Sequence, residues 1–88
     1  MNYTRNNNFE YISNNDDSLI IYNSNGEEIF ILNDIATKII QSLKNPKTLD
    51  ELLNEILTIY EGSEIQIKND IEAFLNIAIS NEIIIILD

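Results

Sequence analysis

The sequence predicts a small α+β domain, a winged helix-turn-helix-like arrangement of a small N-terminal antiparallel sheet followed by three helices. Three observations carry this. Asn25-Gly26 sits between two runs rich in β-branched residues, the strongest short hairpin signal. The apolar spacing then changes from that of a strand to that of a helix near Asn33. Two helix-start signatures follow, Thr48 with Glu51 and Ser63 with Gln66.

Residues 1–8 are Asn-rich and without periodicity, and read as a flexible N-terminal arm ahead of a single domain spanning 9–88. Residues 9–12 alternate weakly, as a short strand does, and Asn14-Asn15-Asp16-Asp17 is a turn cluster. Leu19-Ile20-Ile21-Tyr22 has strand composition, and Ile29-Phe30-Ile31-Leu32 is its return partner, beginning near Glu27. Asn33 is a good N-cap, with Asp34 where a helix N-terminus favours negative charge. Ile35, Ile39, Ile40 and Leu43 share one stripe, and Asn45-Pro46 closes that helix. The stripe Leu49, Leu52, Leu53, Ile56, Leu57, Tyr60 predicts a second helix stopped by Gly62, and Ile67, Ile71, Phe74, Leu75, Ala78 a third, ended at Asn81. Residues 83–87 read as a terminal strand, packed on both faces or paired with an N-terminal strand.

Composition excludes much. The chain has 88 residues, room for one domain. It carries 15 Asp plus Glu against 5 Lys plus Arg, a net charge of −10, which repels nucleic acid and favours a basic partner. Cysteine and histidine are both absent. Disulfides, thiolate nucleophiles, Cys- or His-ligated metals and every triad built on histidine are therefore impossible. The isolated Gly26 and Gly62 cannot form a phosphate loop, and the acidic pairs Asp16-Asp17, Glu27-Glu28 and Asp50-Glu51 sit at turns or helix starts without calcium-loop spacing. The expectation is a non-enzyme with no catalytic residues, no metal and no cofactor. Residues 1–8 are polar, unlike a secretion signal, and the longest apolar run, 83–87, is far short of a membrane span. A cytoplasmic protein is expected.

A winged helix suggests DNA reading, but the charges of the third helix are Glu64, Lys68, Asp70 and Glu72, the wrong sign for a recognition helix. Peptide or protein binding remains. The strand starting at Glu27 can be a sheet edge, a template for an added strand. Ile65, Leu75 and Ile79 widen the apolar face of the third helix; periodicity leaves open whether they finish the core or line a groove.

The segment Leu32-Asn33-Asp34-Ile35-Ala36-Thr37-Lys38-Ile39 resembles the Leu-Asn-x-x-Ala-x-x-Ile motif of the PqqD-like family. Thr48-Leu49-Asp50-Glu51-Leu52 is similar to its Thr-hydrophobic-x-Glu-Leu helix, and Asp70-Ile71-Glu72-Ala73-Phe74-Leu75 to its Asp-Val-x-x-Phe-Leu helix. The match runs from about Leu19 to the end. The resemblance implies a fold of three N-terminal strands and three helices, and a recognition element for ribosomally made, modified peptides. Such a domain binds the leader segment of a precursor peptide as an added strand against a third helix and presents the core to a modifying enzyme. That enzyme is a radical-SAM protein, a protease or a cyclase, in a lasso peptide, radical-SAM-modified peptide or quinone cofactor pathway. Carried over, the peptide-binding residues are Glu27, Glu28, Ile29, Phe30, Ile31 and Leu32 on the strand, and Lys68, Ile71, Glu72 and Leu75 on the helix. The family often has a Gly-Leu-hydrophobic stretch near its end, where this chain has Asn81-Glu82 and then residues 83–87, an edge that can pair within the domain, with a second copy, or with an enzyme. The alternatives are a winged-helix transcriptional regulator and a structural dimerisation module; both a monomer and a homodimer are open.

With a net charge of −10 and an acidic third helix, titration of DNA or RNA duplexes near physiological salt is expected to give no sequence-specific complex of submicromolar affinity. Such a complex would overturn the peptide-binding reading.

Overall fold

The computed structural model describes residues 1–14, 18–32 and 34–87. The elements run β1 (Asn2–Arg5), β2 (Glu10–Ser13), β3 (Leu19–Tyr22), β4 (Glu28–Leu32), α1 (Asp34–Ser42), α2 (Leu49–Leu57), α3 (Glu64–Ser80) and β5 (Ile84–Leu87). Strands β2, β3 and β4 form an antiparallel sheet in that order, and β1 and β5 a separate antiparallel pair. The architecture is the α+β, winged helix-turn-helix-like one read from the sequence. The expected turn residues Asn15, Asp16 and Asp17 and the expected N-cap Asn33 lie outside the described residues.

The hairpin forms where Asn25-Gly26 predicts it. The Asn23 side-chain oxygen accepts from the amides of Asn25 (2.9 Å) and Glu27 (3.0 Å), and Gly26 takes φ +78°, a conformation open to glycine at no steric cost. Thr48 and Glu51 close a full capping box on α2, and Ser63 caps α3 by accepting from the Gln66 amide. Helix α2 stops earlier than its apolar stripe suggests. The Thr58 hydroxyl donates to the Glu55 carbonyl at 2.6 Å, and Tyr60 reaches the core from the turn that follows, ahead of Gly62. The core gathers Leu19 and Ile21 from β3, Ile39 and Ile40 from α1, Leu52 and Ile56 from α2, and Ile67, Ile71, Leu75 and Ala78 from α3.

The flexible-arm reading of residues 1–8 needs correction. Asn2–Arg5 is a strand held on both sides. Tyr3 exchanges backbone bonds with Lys47 (2.7 and 2.9 Å), while Tyr3 and Thr4 stand opposite Ile86 and Ile85 of β5. The segment lacks a strand pattern because its order comes from backbone pairing to residues far along the chain and from one side chain, Tyr3, packed on the core.

Beyond β1 the chain is knotted at Asn6. Its amide donates to the Ile83 carbonyl at 2.7 Å and its side chain to the Glu82 carbonyl at 2.8 Å. The Tyr11 hydroxyl lies 2.9 Å from the Asn6 carbonyl and 3.0 Å from that of Ile83, its one proton shared between them. Burial pushes the Tyr11 phenol up to about 12, against the pull of the nearby Arg5 charge, 4.7 Å from the ring centre. Helix α3 ends in a Schellman turn: Ile83 donates to the Ala78 carbonyl (2.9 Å) and Glu82 to that of Ile79 (3.0 Å). Glu82 occupies the left-handed position at φ +63°, where glycine is the favoured residue.

Two outcomes follow. Glu82→Gly is expected to relieve a left-handed conformation costing about 1 kcal/mol and to raise Tm by about 4–8 °C in a thermal melt. Tyr11→Phe is expected to destabilise by about 1 kcal/mol, the net worth of a lost hydrogen bond. Tyr11 also adds an alkaline signature. Below pH 10.0, the ordinary phenol value, both states keep the proton; above it only the unfolded chain releases it, so stability falls as pH rises toward about 12. Urea midpoints measured across that window are expected to fall less steeply in Tyr11→Phe.

Candidate peptide-binding edge

The three-stranded sheet has two edges, β2 and β4. The direction of the backbone groups on each follows from the ladder. Asn14 donates to the Ser18 carbonyl at 2.8 Å, so that pair is hydrogen-bonded, and alternation makes Ile12–Ile20 the next bonded pair. Ile20 thus spends its backbone groups on β2, and β3 bonds β4 through Leu19 and Ile21, opposite Leu32 and Phe30. Ile31 is left with its N–H and C=O directed at the open edge. The same alternation turns the Ser13 N–H outward on β2. The register slips between Ile21 and Tyr22, where Phe30 and then Glu28 stand opposite, so Ile29 is the extra residue of a bulge.

The side chains of β4 divide between the two faces of the sheet. Phe30 and Leu32 pack on the core, while Ile29, Ile31 and Glu28 are exposed. Glu27 lies in the turn instead of the strand: its amide is taken by the Asn23 side chain and its carbonyl by the Asn23 amide at 2.9 Å. The turn leaves it no backbone group to offer an added strand.

On α3 the expected helix residues separate. Ile71 and Leu75 belong to the core, at 0% and 3% exposure, because they sit at the centre of the apolar stripe, so neither presents an open groove surface. Lys68 and Glu72 are exposed on one flank. On that flank Glu72, Leu75 and Asn76 border a recess of about 300 Å³ with Tyr3 and Leu49, beside β1 and far from β4. The opposite flank carries Gln66 and Asp70, which with Ile67 share a recess of about 220 Å³ with Ile35 and Tyr60. Ile35 opens α1, directly after β4, so this flank lies at the end of the open edge. Exposed Ile77 continues it two helical turns on. Ile35 links the Gln66–Asp70 flank to the chain that leaves β4, whereas Glu72 borders the recess with Tyr3 of β1. Periodicity identifies the stripe of α3 but is symmetric about it; which flank meets β4 depends on how α3 crosses the other elements.

Among the described residues no group of three or more Asp and Glu could hold a metal ion, and the one ion pair, Lys47–Glu55 at 2.8 Å, lies elsewhere. There the Lys47 ammonium and the Ser42 hydroxyl hold the Glu55 carboxyl below the ordinary carboxylate range, fixing the α1–α2 connection that backs β1. Glu51 is likewise lowered by its capping bonds to Thr48. Glu28, Glu61 and Asp70 around the open edge are exposed and have no ion-pair partner among the described residues. No helix is long and apolar enough to cross a membrane among the described residues.

Three helices packed on a three-stranded antiparallel sheet with an open β4 edge define a domain of the winged helix-turn-helix-like class. The family model for coenzyme PQQ synthesis protein D (PqqD) matches residues 18–84, and the chain belongs to the PqqD family. Two solved structures share the fold. One is described as TbiB1 in complex with the TbiA(beta) leader peptide, at a TM-score of 0.82 and 16% identity, covering 97% of this chain and 98% of that one. The other is lasso peptide synthetase B1 complexed with the leader peptide, at a TM-score of 0.76 and 18% identity, covering 96% and 98%. Among curated proteins none matches significantly.

Proposed function

We propose that this chain is a non-catalytic recognition element that binds the leader segment of a ribosomally synthesised precursor peptide as a fourth strand on β4, and delivers it to a modifying enzyme. The observation that carries the reading is the outward-directed N–H and C=O of Ile31 on the open β4 edge of the sheet. Family membership and the two leader-bound structures of the same fold and nearly the same length support it; the lasso peptide, radical-SAM and quinone cofactor pathways all stay open.

The energetics suit a carrier that binds and releases. A few backbone hydrogen bonds contribute about 1 kcal/mol each, and two or three buried apolar side chains about 1.5–3 kcal/mol each. Ordering a flexible leader costs about 2–5 kcal/mol, leaving affinity near micromolar. Lys68, Glu72, Ile71 and Leu75 are not part of this proposed site; Ile35, Gln66, Asp70 and Ile77 take their place.

Proline separates the two edges. Ile31→Pro removes an outward N–H without cutting the β3–β4 ladder, whereas Phe30→Pro cuts it. Titration of the labelled leader peptide is expected to show affinity lowered more than tenfold by Ile31→Pro and unchanged by Ser13→Pro, which removes an outward N–H from β2, with circular dichroism confirming the fold of both. A folded Ile31→Pro variant with wild-type affinity would place the peptide elsewhere.

A further inference from the structure

The outward face of the β2–β3–β4 sheet carries two cross-strand rows. Ile12, Ile20 and Ile31 stand opposite one another in one, and Glu10, Tyr22 and Glu28 in the next. Ile12 is 47% and Ile31 58% exposed, and both glutamates are exposed. Ile20 and Tyr22, on the central strand, are half-buried, yet neither packs on the core; the core-facing residues of this sheet are Tyr11, Leu19, Ile21, Phe30 and Leu32. The isoleucine row thus lies on the face away from the core, with Ile12 and Ile31 open to solvent. A sheet face turned to water ordinarily carries polar residues at these positions, and an apolar row across all three strands, bordered by charge, has the character of an interaction surface.

We propose that this face docks the modifying enzyme, through a segment that lays apolar side chains on Ile12, Ile20 and Ile31 and sets Lys or Arg against Glu10 and Glu28. Charge selects this occupant over a second copy. Glu10 and Glu28 have no cation within 4.0 Å among the described residues. Two copies meeting on this face would oppose their glutamate pairs in a chain already at −10, whereas a basic segment neutralises them. The surface is also continuous with the open edge, since Ile31 belongs to both. A leader strand on β4 would place alternate side chains in line with the isoleucine row, so the enzyme would touch carrier and leader together. That the occupant is the modifying enzyme, and that it meets the leader there, rests on the proposed function; the apolar, acid-bordered face itself does not.

The test uses the full chain and, as probe, the purified modifying enzyme encoded beside this chain's gene, with and without leader. The double variant Ile12→Thr with Ile20→Thr keeps β-branched strand residues while removing the apolar row. It is expected to weaken enzyme binding more than tenfold in the absence of leader, with leader affinity within twofold of wild type. Glu10→Gln is expected to flatten the salt dependence of enzyme binding. The chain has no cysteine, so Ile12→Cys and, on α3, Ile65→Cys each give a single attachment point for a crosslinker. Crosslinking from position 12 and not from 65 is expected, and decides the matter should the double variant fail to fold. Wild-type enzyme affinity in a folded double variant, or crosslinking only from position 65, would overturn the proposal. Enzyme docking at position 12 together with a leader that ignores Ile31→Pro would instead overturn the leader reading and leave the docking face standing.

Discussion

The arrangement of the molecule hangs on the junction of Asn6, Tyr11 and Ile83. Here the end of β1, the inner face of β2 and the residue that leaves α3 share three backbone carbonyls and one phenol. The junction ties the β1–β5 pair to the β2 side of the three-stranded sheet, which leaves β4 as the strand farthest from it. It also sets the C-terminus of α3, and with it the rotation that turns one flank of the helix toward β1 and the other toward Ile35. A free peptide-accepting edge beside a helix flank is the remainder once the other sides have been occupied. A phenol is well suited to this place, since its apolar ring joins the core while its hydroxyl satisfies carbonyls that would otherwise be buried at a cost.

What could be read from the sequence was local, and what could not was the result of long-range pairing. The Asn25-Gly26 hairpin, the Thr48–Glu51 capping box and the Ser63 cap each satisfy their backbone groups within a few residues, so each leaves a signature in adjacent letters. Strand β1 leaves none. Its partners are Lys47 and residues 84–87, and an Asn-rich tract pairs through its backbone as readily as any other. The candidate site divides the same way. Strand residues Glu28 to Leu32 were legible from the hairpin. The helix residues were chosen from a stripe whose centre, Ile71 and Leu75, proved to be core, and periodicity does not rank its two flanks.

The bulge at Ile29 explains how the chain keeps β4 open. An unpaired edge is a template for any chain, including another copy of itself. Here the regular, pairable stretch is short: Glu27 is locked into the turn, Ile29 interrupts the ladder, and Ile31 is left with clear outward groups. Exposed carboxylates at Glu28 and Asp70 border it, and the whole chain repels its like. A short interrupted edge offers too little pairing to hold a second folded sheet, whose own bulge and charges would face it. A flexible peptide meets neither obstacle, because it can choose its register and bring cations. The acidity that in the sequence argues against nucleic acid and for a basic partner is, at this edge, a filter on what can pair.

In a domain this small the interior is filled chiefly by isoleucine and leucine of β3, the helices and β5, with Tyr3 and Tyr11 reaching it from β1 and β2, and Thr37 and Ser18 the buried polar residues among those described. Thr37 serves the edge itself, its hydroxyl donating at 2.8 Å to the carbonyl of Leu32, the last residue of β4. That bond fastens the end of the strand to α1, so the edge is held by the same helix whose first turn forms part of the adjoining recess. The position of Leu32, and of Ile31 beside it, is thereby fixed relative to α1 before any ligand arrives. Rigid placement of a few backbone groups lowers the ordering cost on the carrier's side. Under the proposed function, what the domain contributes to a reaction is the placement of a peptide, and the chemistry falls to the protein that meets it.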